Sequence, residues 1–277
     1  MLIIESRSMD VYRNLAIEEY LMDEVQDCGP VLFLWRSECA VVMGKNQNPW
    51  RECRLDLMEK EDVSLARRTS GGGTVYHDTG NLNYCVIVGR EEYREDQAYE
   101  LVFQALERFG VCAEKTGKSN LTVGGLKFSG NAFAFRKGRA LHHGTLLLNT
   151  DLDRLNRYLG SMFESIDTHA IASVPAEVIN LDLDVAAVSA SLKESFKTVY
   201  SDGKPFRCLE EKDLDEPLLN SLLQRQVSND WTFGATPKFS VEVGGCRMDV
   251  AKGVVVSGEK TGQSFRRIAF SLLCLVD

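Results

Sequence analysis

The chain has 277 residues, 44% hydrophobic and 26% charged, with 22 glycines and 6 prolines, proportions that exclude a disordered or collagen-like chain. Asp and Glu number 40 against 32 Lys and Arg, a formal charge of −8, which excludes a global basic field for nucleic acid but leaves room for a local basic pocket. The longest apolar run, Ile268 to Val276, is broken by Ser271 and too short to span a bilayer.

The amino-terminal MLIIESRSMD lacks the basic-then-apolar order of a signal peptide. A soluble, cytoplasmic protein that binds no membrane is expected. Val11, Leu15, Ile17, Tyr20, Leu21 and Val25 recur at mostly helical intervals, so a helix is predicted from Asp10, its N-cap, to Val25. Val31 to Trp35 and Ala40 to Met43 read as neighbouring strands, Cys53 to Glu61 as a short helix, and Val63 to Ala66 as a strand running into Arg67 and Arg68. Leu82 to Val88 is a strand, and Asp96 to Phe109 a helix stopped by Gly110. Strands at Leu121 to Val123 and Leu126 to Ser129 flank Gly124-Gly125, a hairpin turn. Leu141 to Leu148 is a strand feeding a helix over Asp151 to Leu159. Helices follow over Asp184 to Phe196 and Leu214 to Val227, then strands at Phe239 to Val243 and Val254 to Val256. Strands and helices mix without strict alternation, so α+β with a mixed or antiparallel sheet is expected. Trp231 to Pro237 breaks the helical pattern and marks a boundary after residue 230. The remaining stretch, 237–277, is too short for a robust core of its own.

The eight cysteines, Cys28, Cys39, Cys53, Cys85, Cys112, Cys208, Cys246 and Cys274, form no C-x-x-C pair. No zinc signature is present, and small buried hydrophobes are the expectation for them.

Three segments carry chemistry. In Arg67-Arg68-Thr69-Ser70-Gly71-Gly72-Gly73-Thr74-Val75-Tyr76-His77-Asp78, bare backbone allows close approach of a ligand and its N–H groups can cradle an anion. The paired arginines can neutralise a phosphate or carboxylate. A flexible hairpin with a solvated arginine pair is the plain alternative. Neither a Walker loop nor a dinucleotide fingerprint matches. Next, Gly117-Lys118-Ser119-Asn120-Leu121 precedes Lys127-Phe128-Ser129-Gly130-Asn131-Ala132. Lys127 stands beside Leu126 and Phe128, where alternation alone would turn it to solvent. Finally, His142 and His143, adjacent on a strand, must point to opposite faces and cannot jointly ligate a metal; no metal site is expected.

The blocks NLAIEEYL, VLFLWR, GKNQNPW, RRTSGGGTVYHDTGNLNY, KFSGNAF and HHGTLLLNTDL, with WTFGATPKFS in the tail, resemble the lipoate–protein ligase family. They occur in family order over roughly residues 10 to 160. The resemblance implies the fold shared with biotin ligases, a mixed sheet packed by helices, with a catalytic domain over 1–230 and a short C-terminal accessory domain over 237–277. It also implies the activity: lipoate and ATP give lipoyl-AMP and pyrophosphate, and the lysine amine of an acceptor then forms the amide. Mg2+ is implied as part of the ATP complex. The implied acceptors are apo lipoyl domains of 2-oxoacid dehydrogenase E2 subunits, or the glycine-cleavage H protein. Lys127 matches the family's lysine, which would stabilise charge on the carbonyl and α-phosphate oxygens. Arg68, Ser70, Gly71, Gly72, Gly73, His77, Asn120, Ser129, Gly130, His143 and Gly144 match the residues that would bind lipoate and adenylate.

The sequence also departs from the family. The usual G-R-N-D-L block reads GKSNL, so Asn120 replaces an aspartate, and SVPAEVINL puts Pro175 and Glu177 where arginines are common. Two other readings stay open: a lipoyl or octanoyl amidotransferase that needs no ATP, and a non-catalytic lipoate-binding homologue. The first needs a cysteine nucleophile shortly before the lysine strand or after the N-T-D-L block. Cys112, the nearest, suits neither position.

Overall fold

The computed structural model describes residues 1–25, 29–201, 207–243, 245–258 and 260–273; Cys28 and Cys274 lie outside them. In chain order the elements are β1 (Leu2–Glu5), α1 (Val11–Asp23), β2 (Val31–Trp35), β3 (Ala40–Met43), α2 (Pro49–Glu52), α3 (Leu55–Lys60), β4 (Ser64–Arg67) and β5 (Val75–His77). Then come β6 (Asn81–Gly89), α4 (Glu95–Glu107), β7 (Glu114–Thr116), β8 (Asn120–Val123), β9 (Leu126–Arg136), β10 (Arg139–Leu147), α5 (Leu152–Tyr158) and β11 (Ile166–Thr168). The last are α6 (Val185–Val199), β12 (Arg207–Leu209), α7 (Glu216–Gln226), β13 (Phe239–Val243), β14 (Cys246–Ala251), β15 (Val254–Val255) and α8 (Phe265–Leu273).

The chain divides into two compact units. Unit 1 comprises Met1–Glu38, His77–Leu152 and Pro175–Leu223. Its sheet runs β12-β1-β2-β6-β10-β9-β8-β7. β1 is parallel to both neighbours, and every pair from β2 onward is antiparallel, so the sheet is mixed, as expected. Side chains of α4 and α6, among them Val102, Leu106, Leu192 and Phe196, pack with Leu32, Tyr84, Val86 and Phe128 of the strands. Helix α1 covers the other face through buried Leu15, Ile17 and Leu21. Asp10 caps α1 by accepting from the N–H of Tyr12, and Asp184 caps α6 by accepting from that of Ala187, each satisfying an orphan donor of the first turn. His142 and His143 point to opposite faces: one packs on Tyr99 of α4, the other binds Glu18 of α1.

Unit 2 comprises Cys39–Tyr76, Asp153–Val174 and Gln224–Asp277. β3 runs parallel to β4, and β11-β13-β14-β15 form an antiparallel sheet. Their common core is aromatic. The Trp50 ring lies 5.5 Å from that of Phe233, 5.2 Å from Phe239 and 5.0 Å from Phe265, and Val41, Tyr158 and Val250 join them.

Two expectations change, on strand adjacency and on the cysteines. The strands Val31–Trp35 and Ala40–Met43 exist with those limits but are not neighbours, since β2 pairs with β1 and β6 while β3 pairs with β4. Beyond the break near residue 230, Phe239, Val250 and Phe265 share one core with Trp50 and Tyr158 of the earlier segments of unit 2. Among the described cysteines, Cys53 and Cys85 are buried and Cys39 is half-buried, but Cys112, Cys208 and Cys246 are exposed. Among the described residues no helix is long and apolar enough to cross a membrane.

Candidate active site

The glycine loop belongs to unit 2, and its arginines are neither solvated nor free for an anion. Arg67 is fully buried. It donates from Nη1 to the carbonyls of Lys45 and Gln47 at 2.9 Å, from Nη2 to Thr232 O at 2.6 Å and Thr236 Oγ1 at 2.9 Å, and from Nε to Trp231 O at 3.1 Å. Burial lowers its pKa to about 10, so it stays protonated at neutral pH, its charge solvated by carbonyl dipoles. Arg68 acts on the loop itself: Nη2 donates to Gly71 O at 2.6 Å and Gly73 O at 2.7 Å, and Nε to Ser70 Oγ at 3.0 Å. Both guanidiniums are thus bonded to protein acceptors. Arg68 shapes the loop by occupying its carbonyls, which leaves N–H groups as the loop's remaining polar capacity, while Arg67 ties together the segments beside it.

The GKNQ segment braces the same loop. A Cβ on Gly44 would lie 2.2 Å from Gly72 O, so only glycine permits this approach. Lys45 N donates to Ser70 O at 2.8 Å. Gln47 accepts from Gly44 N and Thr74 Oγ1, each at 2.8 Å, and donates to Ser173 Oγ at 3.0 Å. Gly72 has φ 87°, a value that favours glycine. Sequence reading missed Gln47 and Ser173 as parts of this brace. The GKNQNPW block gave Gln47 a place without a partner, and Ser173 lies more than a hundred residues further on.

The lysine lies in unit 1, at the start of β9. Asn120 pairs with Gly130 and Leu121 with Ser129, but Thr122 pairs with Lys127, so the register slips between Leu121 and Thr122. Phe128 is the extra residue of a β-bulge. A bulge resets the alternation of faces, which lets Phe128 be fully buried while Lys127 turns to the face of Gly130. A Cβ on Gly130 would meet Lys127 Nζ at 3.2 Å and Cε at 3.3 Å, so the ammonium lies over bare backbone. Asn120, directly opposite Gly130, projects from that same face. The backbone of Lys127 is anchored as well, donating to Glu177 O at 3.0 Å and accepting from Ile179 N at 2.9 Å.

Of the other expected residues of unit 1, Ser129 lies on β9 itself, His143 and Gly144 on β10, and His77 at the end of β5, a strand of the β4-β3-β5 sheet. Ser129 is buried and accepts from Asn131 Nδ2 at 3.3 Å. His77, at the end of β5, is buried with its ring 5.3 Å from that of Trp35 and Nδ1 3.5 Å from Asn83 Nδ2. His143 Nδ1 lies 2.9 Å from Glu18 Oε2. It stands opposite Cys85 on β6, whose thiol is pushed well up by burial and then by the Glu18 carboxylate. A Cβ on Gly144 would fall 2.4 Å from Asn131 Oδ1 and 2.7 Å from Tyr84 Oη, so its bareness accommodates that pair. Among the described residues no group of three or more His, Cys, Asp or Glu side chains is disposed to hold a metal.

The family model for the lipoyl protein ligase A/B catalytic domain matches residues 10–197. The chain is 37% identical over 249 residues to a lipoate-protein ligase A of Psychrobacter cryohalolentis, covering 86% of this chain and 74% of that one. It is 38% identical over 245 residues to one of Bdellovibrio bacteriovorus, covering 85% and 72%. The chain belongs to the lipoate–protein ligase family. Solved structures of this family share the fold, which confirms the α+β expectation. P. falciparum LipL1 in complex with lipoate has TM-score 0.73 at 26% identity, covering 92% of this chain and 82% of that one. A lipoate-protein ligase A bound with ATP has TM-score 0.71 at 28% identity, covering 84% and 98%. A bipartite lipoate protein ligase from Thermoplasma acidophilum, studied with its E2 lipoyl domain, has TM-score 0.70 at 27% identity, covering 86% and 97%.

Proposed function

We infer that this chain is an ATP-dependent lipoate–protein ligase that makes lipoyl-AMP and transfers the lipoyl group to a lysine of an acceptor lipoyl domain. The ATP-bound and lipoate-bound family members support the two small substrates. In the first step a lipoate carboxylate oxygen attacks the α-phosphorus and pyrophosphate leaves. In the second the acceptor amine attacks the acyl carbonyl, loses a proton, and AMP leaves. Both steps build negative charge on oxygens around the reacting centre, which a preorganised cation stabilises.

Lys127 is the residue that carries this reading. The bulge at Phe128 presents its ammonium over Gly130, on the face from which neutral Asn120 also projects. Ser129 and Gly130 would complete the surface beneath the adenylate. The Arg68-braced Gly71-Gly72-Gly73 loop would offer N–H groups to an anion, with Ser70 holding its shape. His77 on β5, and His143 and Gly144 on β10, are proposed binding positions. Magnesium enters only as part of Mg-ATP, and no step runs through a protein-held ion. Acceptors of the E2 lipoyl-domain class are proposed from the archaeal pair, with the H protein a second candidate. Action in the cytoplasm fits the acidic balance and the cysteine spacing.

The thioester alternative loses support from Cys85, the cysteine that faces a histidine across the sheet. Its thiol is buried and held protonated, whereas the thiolate is the nucleophile. Lipoate-dependent exchange between ATP and pyrophosphate, with intact-mass reading of an apo lipoyl domain, tests the proposal. Exchange plus a lipoyl-sized mass gain is expected. Transfer without exchange would establish the amidotransferase, and neither signal would leave a binding protein.

A further inference from the structure

Asn131 sits at the centre of a buried polar network in unit 1. Its Nδ2 donates to Ser119 O at 3.1 Å and to Ser129 Oγ at 3.3 Å, and its backbone N–H donates to the same Ser119 carbonyl at 2.9 Å. A carbonyl only accepts, so the amide nitrogen must face Ser119 and Oδ1 must face the other way. There Oδ1 accepts from Tyr84 Oη and lies 3.0 Å from His142 Nε2, while Tyr93 Oη lies 3.2 Å from His142 Nδ1. His142 Nε2 therefore carries the hydrogen, and Nδ1 accepts from the tyrosine. Bare Gly144 leaves the room that this arrangement needs.

The placement of this network gives it a further role. Ser119 immediately precedes Asn120, which pairs with Gly130, and the register slip that turns Lys127 begins one residue pair further on. A bulge is a local loss of ladder pairing, so its position depends on what fixes the regular pairs beside it. The Asn131 side chain fixes them from the opposite face of β9, through its Nδ2 bonds to Ser119 and Ser129, added to the backbone bond to Ser119. We propose that Asn131 is a positioning residue for Lys127: it locks the β8–β9 register next to the bulge and so sets the direction of the ammonium over Gly130 and Asn120. This rests on the ligase reading above, in which Lys127 acts on the acyl-adenylate.

The test is a double-mutant cycle on transfer from synthetic lipoyl-AMP to an apo lipoyl domain, with thermal melts alongside. Asn131→Asp keeps an acceptor for Tyr84 and His142 but removes the side-chain donor to Ser119 and Ser129; Asn131→Ala removes both, and the backbone bond to Ser119 stays in each. Displacing a reacting group by about 1 Å costs on the order of 10²-fold, so each variant should lower kcat by roughly 10- to 100-fold with KM for the acceptor little changed. In a Lys127→Ala background the same change should cost almost nothing further, because the group being aimed is gone. Equal losses in both backgrounds, or a loss confined to KM or proportional to the unfolded fraction, would overturn the positioning role. If Asn131→Ala does not fold, Asn131→Asp decides alone. Normal transfer by Lys127→Ala would instead overturn the lysine mechanism, and the positioning role with it.

Discussion

Lys127 and Arg67 show two opposite uses of a cation. Arg67 is enclosed, and its charge is spent on carbonyls of the Gly44–Gln47 segment and of Trp231–Thr232. Arg67→Met should leave those acceptors buried and unpaired at about 1–3 kcal/mol each, so a fall of many degrees in the melting temperature is expected. A melt within a degree or two of wild type would show that water replaces the guanidinium. Lys127 is held by its backbone while its ammonium lies over bare Gly130. Lys127→Ala should slow transfer from lipoyl-AMP by on the order of 10² to 10³ with little change in melting. Lys127→Arg should restore little, since a planar fork does not replace a compact ammonium. Near wild-type transfer by a folded Lys127→Ala protein would make this lysine a surface residue. Asn120→Asp puts a carboxylate on the same face as that ammonium, and an ion pair there would compete with the ligand for the lysine. Slower transfer, by about tenfold, is expected in single-turnover measurements. An unchanged rate would mean the two side chains do not meet.

At the scale of elements, the β8–β9 hairpin shows what a sequence makes legible. Gly124 and Gly125 have φ 56° and 82°, the paired positive values that a two-residue turn selects, and their adjacency announced the turn. The bulge at Phe128 left no such mark. Strict alternation read onward from Leu126 puts Lys127 on the wrong face relative to Ser129, because one extra residue inverts every later position. The paired arginines were conspicuous, but their partners lie far along the chain, so burial against carbonyls was not readable from spacing. β1, β7, β11 and β12 are three or four residues long, too short for period-two patterning to stand out. The longer helices α1, α4 and α6 were legible from their apolar spacing and, for α1 and α6, an aspartate cap. Gly130→Ala should keep the strand while displacing the lysine tip, whose Nζ and Cε lie at 3.2 and 3.3 Å from the new methyl position. Reduced kcat with an unchanged melt is expected, and wild-type kinetics would separate Gly130 from the lysine.

For the whole molecule, acid stability follows from His142. Burial first, then the charges of His143 and Lys115, lower its pKa from 6.5 to about 3, so the folded protein keeps it neutral while the unfolded chain takes up a proton. Its contribution to stability is complete above pH 6.5 and is lost as pH falls from there toward about 3. His142→Phe should flatten this part of the stability curve, and an unchanged slope would assign the acid sensitivity to other groups. The thiols give a complementary readout. Cys112, Cys208 and Cys246 should alkylate in the native protein without loss of transfer, while Cys53 and Cys85, buried and pushed up by that burial, should react only on unfolding. Activity loss tracking one substrate-protected cysteine would overturn the ligase reading.

The three-part origin of unit 2 has a consequence for biosynthesis. Val41, Trp50 and Tyr158 are made early, but the rings that enclose Trp50 belong to Phe233, Phe239 and Phe265. On the ribosome the indole emerges long before its cover, while the unit 1 segments that end at Leu223 are already available for folding. A nascent chain stalled before Phe239 should therefore carry an unclosed apolar surface and recruit chaperones, and one released past Ala269 should not. The order of translation itself makes this half of the protein the last to become native.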